Sequence, residues 1–465
     1  MVSLIHSLVK DHLERLAAED VNLDDFAPHI LEKAREIQDR YSAFITINDR
    51  LASEMTPHRQ MKLPFSVKDN ICTRGIRTTA GSRILDNYVP PFDATCVHQI
   101  KNVGGFVIGK TAMDEFGFGT FTTNCAYGAP KNPKDASRVC GGSSGGAACV
   151  TAAAEFPHIA LAQSTGGSIT APAAFTGTVG ITPTYGRVSR WGLIDYANSM
   201  DRIGTIGRCV YDAALGLSMI SGHDPHDSTS LNAPKKDYTE LLGTDIKHLR
   251  VGIPVEYFGE DVNAAVKKNA LDMVQGLKKF GVTWEEISLP STKYAISAYY
   301  LIALAEASTN LAKFCGLRYG MEGEFSGNYE EYFAELRGRY FGEEVKRRII
   351  LGTYARMSGY RDAYYIKALK VRAKILAEFK KAFSKVGVIA TPSMPIIAPR
   401  FDEVKKLSPI DAYGMDKMTV PSNLAGLPTI SVPSGTSEGM PTGVQFVADH
   451  EQDGLLIALG GACEA

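Results

Sequence analysis

The stretch from Cys140 to Phe175 limits what this chain can be more than any other. It holds two serine clusters flanked by glycine, Gly141-Gly142-Ser143-Ser144-Gly145-Gly146 and Ser164-Thr165-Gly166-Gly167-Ser168, joined by an alanine-rich run long enough for a helix and a short buried strand. Glycine beside serine removes the Cβ atoms that would keep a substrate off the backbone, and it opens backbone angles closed to other residues. Successive amides in such a loop converge on one anion. The pattern points to a serine nucleophile, a second serine that relays its proton, and backbone amides that hold a developing oxyanion. Flexible Gly/Ser tethers are a poor account, because tethers do not alternate with apolar helix and strand patterns.

A base for that serine is offered by Leu63-Pro-Phe-Ser-Val-Lys-Asp-Asn-Ile-Cys72, where a short apolar strand runs straight into Lys68. Burying an ammonium is costly and depresses its pKa, and a neutral lysine is a usable general base. Taken alone, the segment fits a surface lysine with its stem laid on apolar atoms better than a buried base. The serine clusters further along the chain tip the balance. Two other patterns compete. Gly104 to Thr111 matches the phosphate-loop motif letter for letter, but its middle residues Gly-Phe-Val-Ile form a strand pattern where the loop should be. Gly142-Ser-Ser144-Gly-Gly146 also fits a nucleophile elbow, which needs an acid and then a histidine downstream; only His450 lies in suitable order, and the second cluster would then be idle.

A net charge of -1 gives no basic groove for nucleic acid or an anionic membrane. The eight cysteines form no CxxC pair and read as reduced thiols. No apolar run is long enough for a bilayer. Met1 to Asp20 has Leu4, Leu8, Leu13 and Leu16 at helical spacing, with Asp11, Glu14, Glu19 and Asp20 among them; a mitochondrial transit peptide would be poor in acid, so a cytoplasmic location is expected. A second helix from Leu31 and the β-rich run Ala43 to Ile47 complete an N-terminal helical arm, residues 1–50. Leu249 to Tyr257, Val262 to Phe280 and Val282 to Leu289 read as strand, amphipathic helix and strand, a βαβ rhythm suited to a mixed sheet covered by helices.

Lys68 after a strand, the GGSSGG box, the TGGS box and the following Val179-Gly-Ile-Thr-Pro-Thr-Tyr-Gly186 resemble the amidase signature family, in order and from about Phe44 to Val447. The resemblance implies an α/β fold, with a single domain over 51–465 whose central mixed sheet is sandwiched between helical layers. A strand ending at Val447 would complete that sheet. It further implies a Ser-Ser-Lys triad: Ser168 the acyl-forming nucleophile, Ser143 the bridging serine held on a cis peptide, Lys68 the base. The amides of Thr165, Gly166, Gly167 and Ser168 are the expected oxyanion hole. The chain departs from the family at Ser164, where aspartate is commonest, and at Thr170 and Ala171, where arginine and a polar residue are common.

The later segments Tyr299 to Phe314, Gly342 to Thr353, Gly359 to Arg372 and Met415 to Pro428 resemble one branch of that family, the glutaminases of tRNA-dependent amidotransferases. That branch implies glutamine as substrate, with Arg348 on its α-carboxylate, Asp416 on its α-ammonium and Tyr299 as a further contact. Arg347 cannot be told from Arg348 by sequence. It also implies a heterotrimer: ammonia passes to a B-type kinase and amidotransferase subunit, which uses ATP and Mg2+ to amidate Asp-tRNA(Asn) or Glu-tRNA(Gln), beside a small C-type subunit. The tRNA would be held mainly by the partner, with no cofactor on this chain. The alternatives are a stand-alone amidase acting on small amides and a noncatalytic scaffold.

Overall fold

The computed structural model describes residues 7–18, 23–51, 62–325 and 327–465. Most of the short apolar runs bounded by glycine, proline and polar turns become strands, and among the described residues thirteen strands are present: β1 (Phe44–Ile47), β2 (Pro64–Lys68), β3 (Phe106–Thr111), β4 (Lys131–Asn132), β5 (Asp135–Val139), β6 (Ile159–Ser164), β7 (Val179–Thr182), β8 (Arg202–Gly207), β9 (Arg250–Pro254), β10 (Thr283–Ile287), β11 (Val388–Pro392), β12 (Thr429–Ser437) and β13 (Met440–Ala448). Eleven of them form one sheet in the order β1-β3-β2-β6-β8-β7-β12-β13-β11-β9-β10, while β4 and β5 pair separately. The sheet is mixed. β3, β2 and β6 are mutually parallel, as are β11, β9 and β10, with antiparallel pairs between the two groups.

Alternation along each strand divides the core. In β11, Ile389 faces the layer that holds the helices Ala295–Asn310 and Lys367–Phe383, whereas Val388 and Ala390 face the layer with Val210–Ile220 and Asp453–Glu464. β2, β6 and β8 are buried along their whole length, small and apolar over most of it, with Lys68, Gln163 and Arg202 as buried polar exceptions. The edge strand β10 exposes Glu285 and Glu286, charges that discourage pairing with another sheet.

The N-terminal arm contributes the helices Leu8–Ala17 and Leu23–Tyr41, and the Ser7 hydroxyl caps the first of them by accepting the Lys10 amide. Leu4, Glu19 and Asp20 lie outside the described residues. Its last piece, β1, pairs with β3, so arm and core share one sheet. The βαβ unit appears as β9, the helix Ala264–Gly276 and β10; Asn263 opens the helix by accepting the amides of Ala265 and Val266. β13 lies between β12 and β11, in the interior of the sheet. The end of the chain, which gave no signal in sequence, forms the helix Asp453–Glu464. No described helix is long and apolar enough to cross a membrane, and all eight cysteines are free thiols.

Candidate active site

Adjacent parallel strands present their carboxyl ends along one edge, and this edge is where the chemistry-bearing residues meet. Lys68 closes β2, Ser164 closes its neighbour β6, and the loop after β6 carries Ser168. Ser143 and Ser144 lead into the helix Gly145–Ala153. The helix can press against the sheet because Gly146 has no side chain: a Cβ there would stand 2.5 Å from the Ala112 nitrogen and from the Ala43 oxygen. Gly142 is equally confined, since its Cβ would meet the Asp114 carboxylate at 2.5 Å and the Thr122 nitrogen at 2.6 Å. The Gly142–Ser143 peptide bond is cis.

Lys68 is fully buried. Its Nζ stands 2.8 Å from Ser143 Oγ, 2.8 Å from the Gln163 carbonyl oxygen and 3.1 Å from Gln163 Oε1. Two of these neighbours can only accept. A neutral amine therefore spends its two N–H groups on Gln163 and turns its lone pair to the Ser143 hydroxyl. Burial pushes the Lys68 pKa down to about 7, against the opposing pull of the Asp114 and Asp201 carboxylates. Gln163 is held the right way round by its Nε2, which donates to Thr165 Oγ1 at 2.7 Å and to Asp201 Oδ1 at 3.1 Å. Asp201 in turn accepts the Thr165 hydroxyl and the amides of Tyr196 and Ala197.

The two serine clusters are stitched together by Ser144, whose amide donates to the Ser168 oxygen at 3.2 Å and whose hydroxyl donates to the Gln163 oxygen at 3.0 Å. Ser168 is 7% exposed, and its hydroxyl makes no hydrogen bond among the described residues. Within the expected oxyanion loop the Gly167 amide already donates to Ser164 Oγ at 3.2 Å. The amides of Thr165, Gly166 and Ser168 have no such partner among the described residues.

A second group of residues stands over this loop. The helix Ala295–Asn310 brings Tyr299 so close to Gly166 that a Cβ there would lie 2.7 Å from the tyrosine hydroxyl. Arg348, on the helix Glu343–Arg356, is 3% exposed and sits among aromatic rings, with its guanidinium 5.0 Å from the Phe118 centroid, 5.2 Å from Tyr413 and 5.3 Å from Tyr300. Its Nε donates to Glu344 Oε1 at 2.7 Å and its Nη1 to the Tyr196 hydroxyl at 2.7 Å. Arg347 points the other way, its side chain 41% exposed in an ion pair with Glu344. The ambiguity between the two arginines is thereby resolved in favour of Arg348 as the one inside. Asp416 accepts the Tyr300 hydroxyl at 3.0 Å, and burial raises its pKa to about 6 against the hydrogen bonds from Thr120 and Tyr300. Sequence reasoning missed Gln163, Tyr196, Asp201, Tyr300 and Glu344; of these only Gln163, two residues ahead of the TGGS box, carried a local signal.

The rival patterns find no support. Within Gly104 to Thr111 the chain leaves a turn and enters β3 at Phe106, with Lys110 buried and donating to Thr78 Oγ1 at 2.9 Å and to the Ile71 carbonyl. His450 donates Nε2 to the Ala425 oxygen at 3.1 Å and has no bond to either serine cluster.

Known proteins share this architecture and sequence. The profile of the family described as Amidase matches residues 7–457. The A subunit of glutamyl-tRNA(Gln) amidotransferase from Carboxydothermus hydrogenoformans is 43% identical over 475 residues, covering 100% of this chain and 98% of that protein. The protein of the same name from Halothermothrix orenii is 45% identical over 448 residues, covering 95% and 93%. The crystal structure of the corresponding glutamyl-tRNA(Gln) amidotransferase polypeptide from Thermotoga maritima superposes with a TM-score of 0.82 at 35% identity, covering 98% of this chain and 94% of that one. With a family match over nearly its whole length and relatives this similar from end to end, the chain belongs to the amidase signature family.

Proposed function

We propose that this chain is the glutaminase subunit of a tRNA-dependent amidotransferase. The observation that carries the proposal is the pairing of a buried Lys68–Ser143 contact with a buried Arg348 and a half-buried Asp416 on the helical layer above the Ser168 loop. The first is what an amide-cleaving serine needs; the second is what distinguishes an amino acid from a neutral amide, because a fixed cation and anion match its α-carboxylate and α-ammonium. The end-to-end similarity to the A subunits of glutamyl-tRNA(Gln) amidotransferases supports the same conclusion.

In this mechanism neutral Lys68 takes the proton of Ser143, and Ser143 takes that of Ser168 as its oxygen attacks the glutamine side-chain carbonyl carbon. The amides of Gly166 and Ser168 hold the oxyanion, each such donor being worth about 3 kcal/mol in the transition state. Ser143 returns a proton to the departing nitrogen, ammonia leaves, and water releases glutamate by the same relay in reverse. Ammonia then passes to the partner, a B-type subunit that binds ATP, Mg2+ and the mischarged tRNA, in a trimer with a small C-type subunit.

Co-purification from the native cell, followed by a glutaminase assay with and without mischarged tRNA, tests the proposal. Ammonia release should be slow for the isolated chain and rise when partner and tRNA are present. Brisk hydrolysis of simple amides by the isolated chain, with glutamine ignored in every setting, would overturn it. The substrate residues give a sharper expectation: Arg348→Lys keeps a cation beside Glu344 but loses the fork, and should raise KM for glutamine about 30-fold with kcat nearly unchanged. Arg347→Met should leave both constants within about twofold, as expected of a surface charge.

A further inference from the structure

The peptide unit that joins Gly166 to Gly167 is gripped at both ends. Its carbonyl oxygen accepts the Thr419 hydroxyl at 2.7 Å, and its N–H donates to Ser164 Oγ at 3.2 Å. The two grips share a support. Ser164 Oγ donates to Asn423 Oδ1 at 3.2 Å, and Asn423 Nδ2 donates to the Thr419 carbonyl oxygen at 2.9 Å. Arg202, directly opposite Ser164 in the β6–β8 register, donates Nη2 to the same Asn423 oxygen and Nη1 to the oxygens of Leu427 at 2.5 Å and Pro183 at 3.1 Å. All four side chains are buried.

This ring has a direction. A guanidinium only donates, so Arg202 dictates that Asn423 turns its oxygen towards Arg202 and Ser164 and its nitrogen towards Thr419. Ser164 must then give its proton to Asn423, which leaves a lone pair for the Gly167 amide. Between two glycines a peptide plane meets little steric resistance to flipping, since neither neighbour has a Cβ to clash. The plane in question separates Gly166 from Ser168, two of the residues whose amides are left to receive an oxyanion.

We propose that Arg202, Asn423, Thr419 and Ser164 form a positioning clamp that selects one orientation of the Gly166–Gly167 peptide and so aims the flanking amides at the oxyanion. The proposal rests on Ser168 being the nucleophile. None of the four touches the substrate. Their effect is on the rate of the chemical step and not on binding, because the donors are used only when charge develops on the carbonyl oxygen. At Ser164 the clamp also accounts for a hydroxyl in place of the aspartate usual in the family: a neutral acceptor serves the Gly167 amide, and Arg202 finds its acceptors in Asn423 and two backbone carbonyls.

The test compares Thr419→Val, Thr419→Ser, Asn423→Ala and the double variant Thr419→Val/Asn423→Ala, made in the full chain with whatever subunits co-purify. Thr419→Val keeps the volume and loses the hydroxyl; it should lower kcat about 30-fold with KM within about twofold, somewhat less than the loss of an oxyanion donor itself. Thr419→Ser restores the hydroxyl and should return kcat to within about threefold of the parent. Because both single changes release the same peptide unit, the double variant should be no more than about twofold slower than the worse single. A wild-type kcat in Thr419→Val, equal losses in the valine and serine variants, or effects that multiply in the double would each overturn the clamp. If Asn423→Ala fails to fold, the valine and serine pair still decides. Measuring both glutamine and a small aryl amide separates this question from the substrate assignment: a parent enzyme inert to glutamine but active on the aryl amide rejects the glutaminase proposal, and the aryl amide then reads out the clamp.

Discussion

Ser168→Ala should lower ammonia release from glutamine by about 10⁵-fold, to the residue of catalysis that binding and oxyanion donors provide without a nucleophile. The fold should not notice. The Ser168 hydroxyl bonds to nothing among the described residues, and the tie between the two serine clusters runs through the Ser168 backbone oxygen, which alanine retains. The melting temperature should stay within about a degree or two of the parent, as for a substitution that removes no buried contact. No acyl-enzyme should accumulate when the variant is quenched during turnover and weighed intact. Release within tenfold of the parent would show that another group attacks the amide.

Lys68→Met should be nearly as damaging, by about 10⁴-fold in kcat/KM, because the relay through Ser143 then has no terminus. The same argument fixes how the unaltered enzyme responds to pH. Burial holds the Lys68 pKa well below its ordinary value, at about 7, so below that pH the folded protein carries an ammonium that cannot accept a proton. At saturating glutamine, activity should rise with pH through about 7, with kcat at pH 6 about tenfold below its plateau, the single-group slope of a general base in the enzyme–substrate complex. The sign distinguishes lysine as base from lysine as a fixed cation, which would give the opposite limb or none. A flat profile between pH 5.5 and 8.5 would remove Lys68 from the mechanism. The methionine variant should lack this limb altogether.

The elements that could be read from sequence were those whose reason is local. A lysine ending an apolar strand and glycine-flanked serines announce themselves within ten residues, and β2 with Lys68 and the loops at Ser143 and Ser168 stand where that pattern put them. Gly104 to Thr111 could likewise be recognised as a strand from its apolar middle. The substrate residues were harder, because their reason is tertiary. Arg347 and Arg348 differ by one step of about 100° around a helix, and only the packing of that helix against Phe118, Tyr300 and Tyr413 turns one of them inward. The pairing of Arg348 with Glu344 follows helical i, i+4 spacing, yet nothing local marks Glu344 as more than a first-turn acid. Arg202 was hidden for another reason: its partners are backbone carbonyls and an asparagine more than two hundred residues away. The position of β13 inside the sheet depends on which strands pair across long distances, and alternation along one strand does not specify its neighbours.

The relay residues and the residues that would recognise an amino acid belong to different parts of the architecture. Lys68 and Gln163 lie on β2 and β6, the Ser168 loop follows β6 and the Ser143 loop opens the helix Gly145–Ala153, whereas Tyr299, Tyr300 and Arg348 ride on two helices that pack on each other above them. Such a division makes the molecule easy to repurpose. A descendant could redraw a few side chains on the overlying helices and so acquire a new diet of amides, while inheriting the bond-breaking apparatus unchanged.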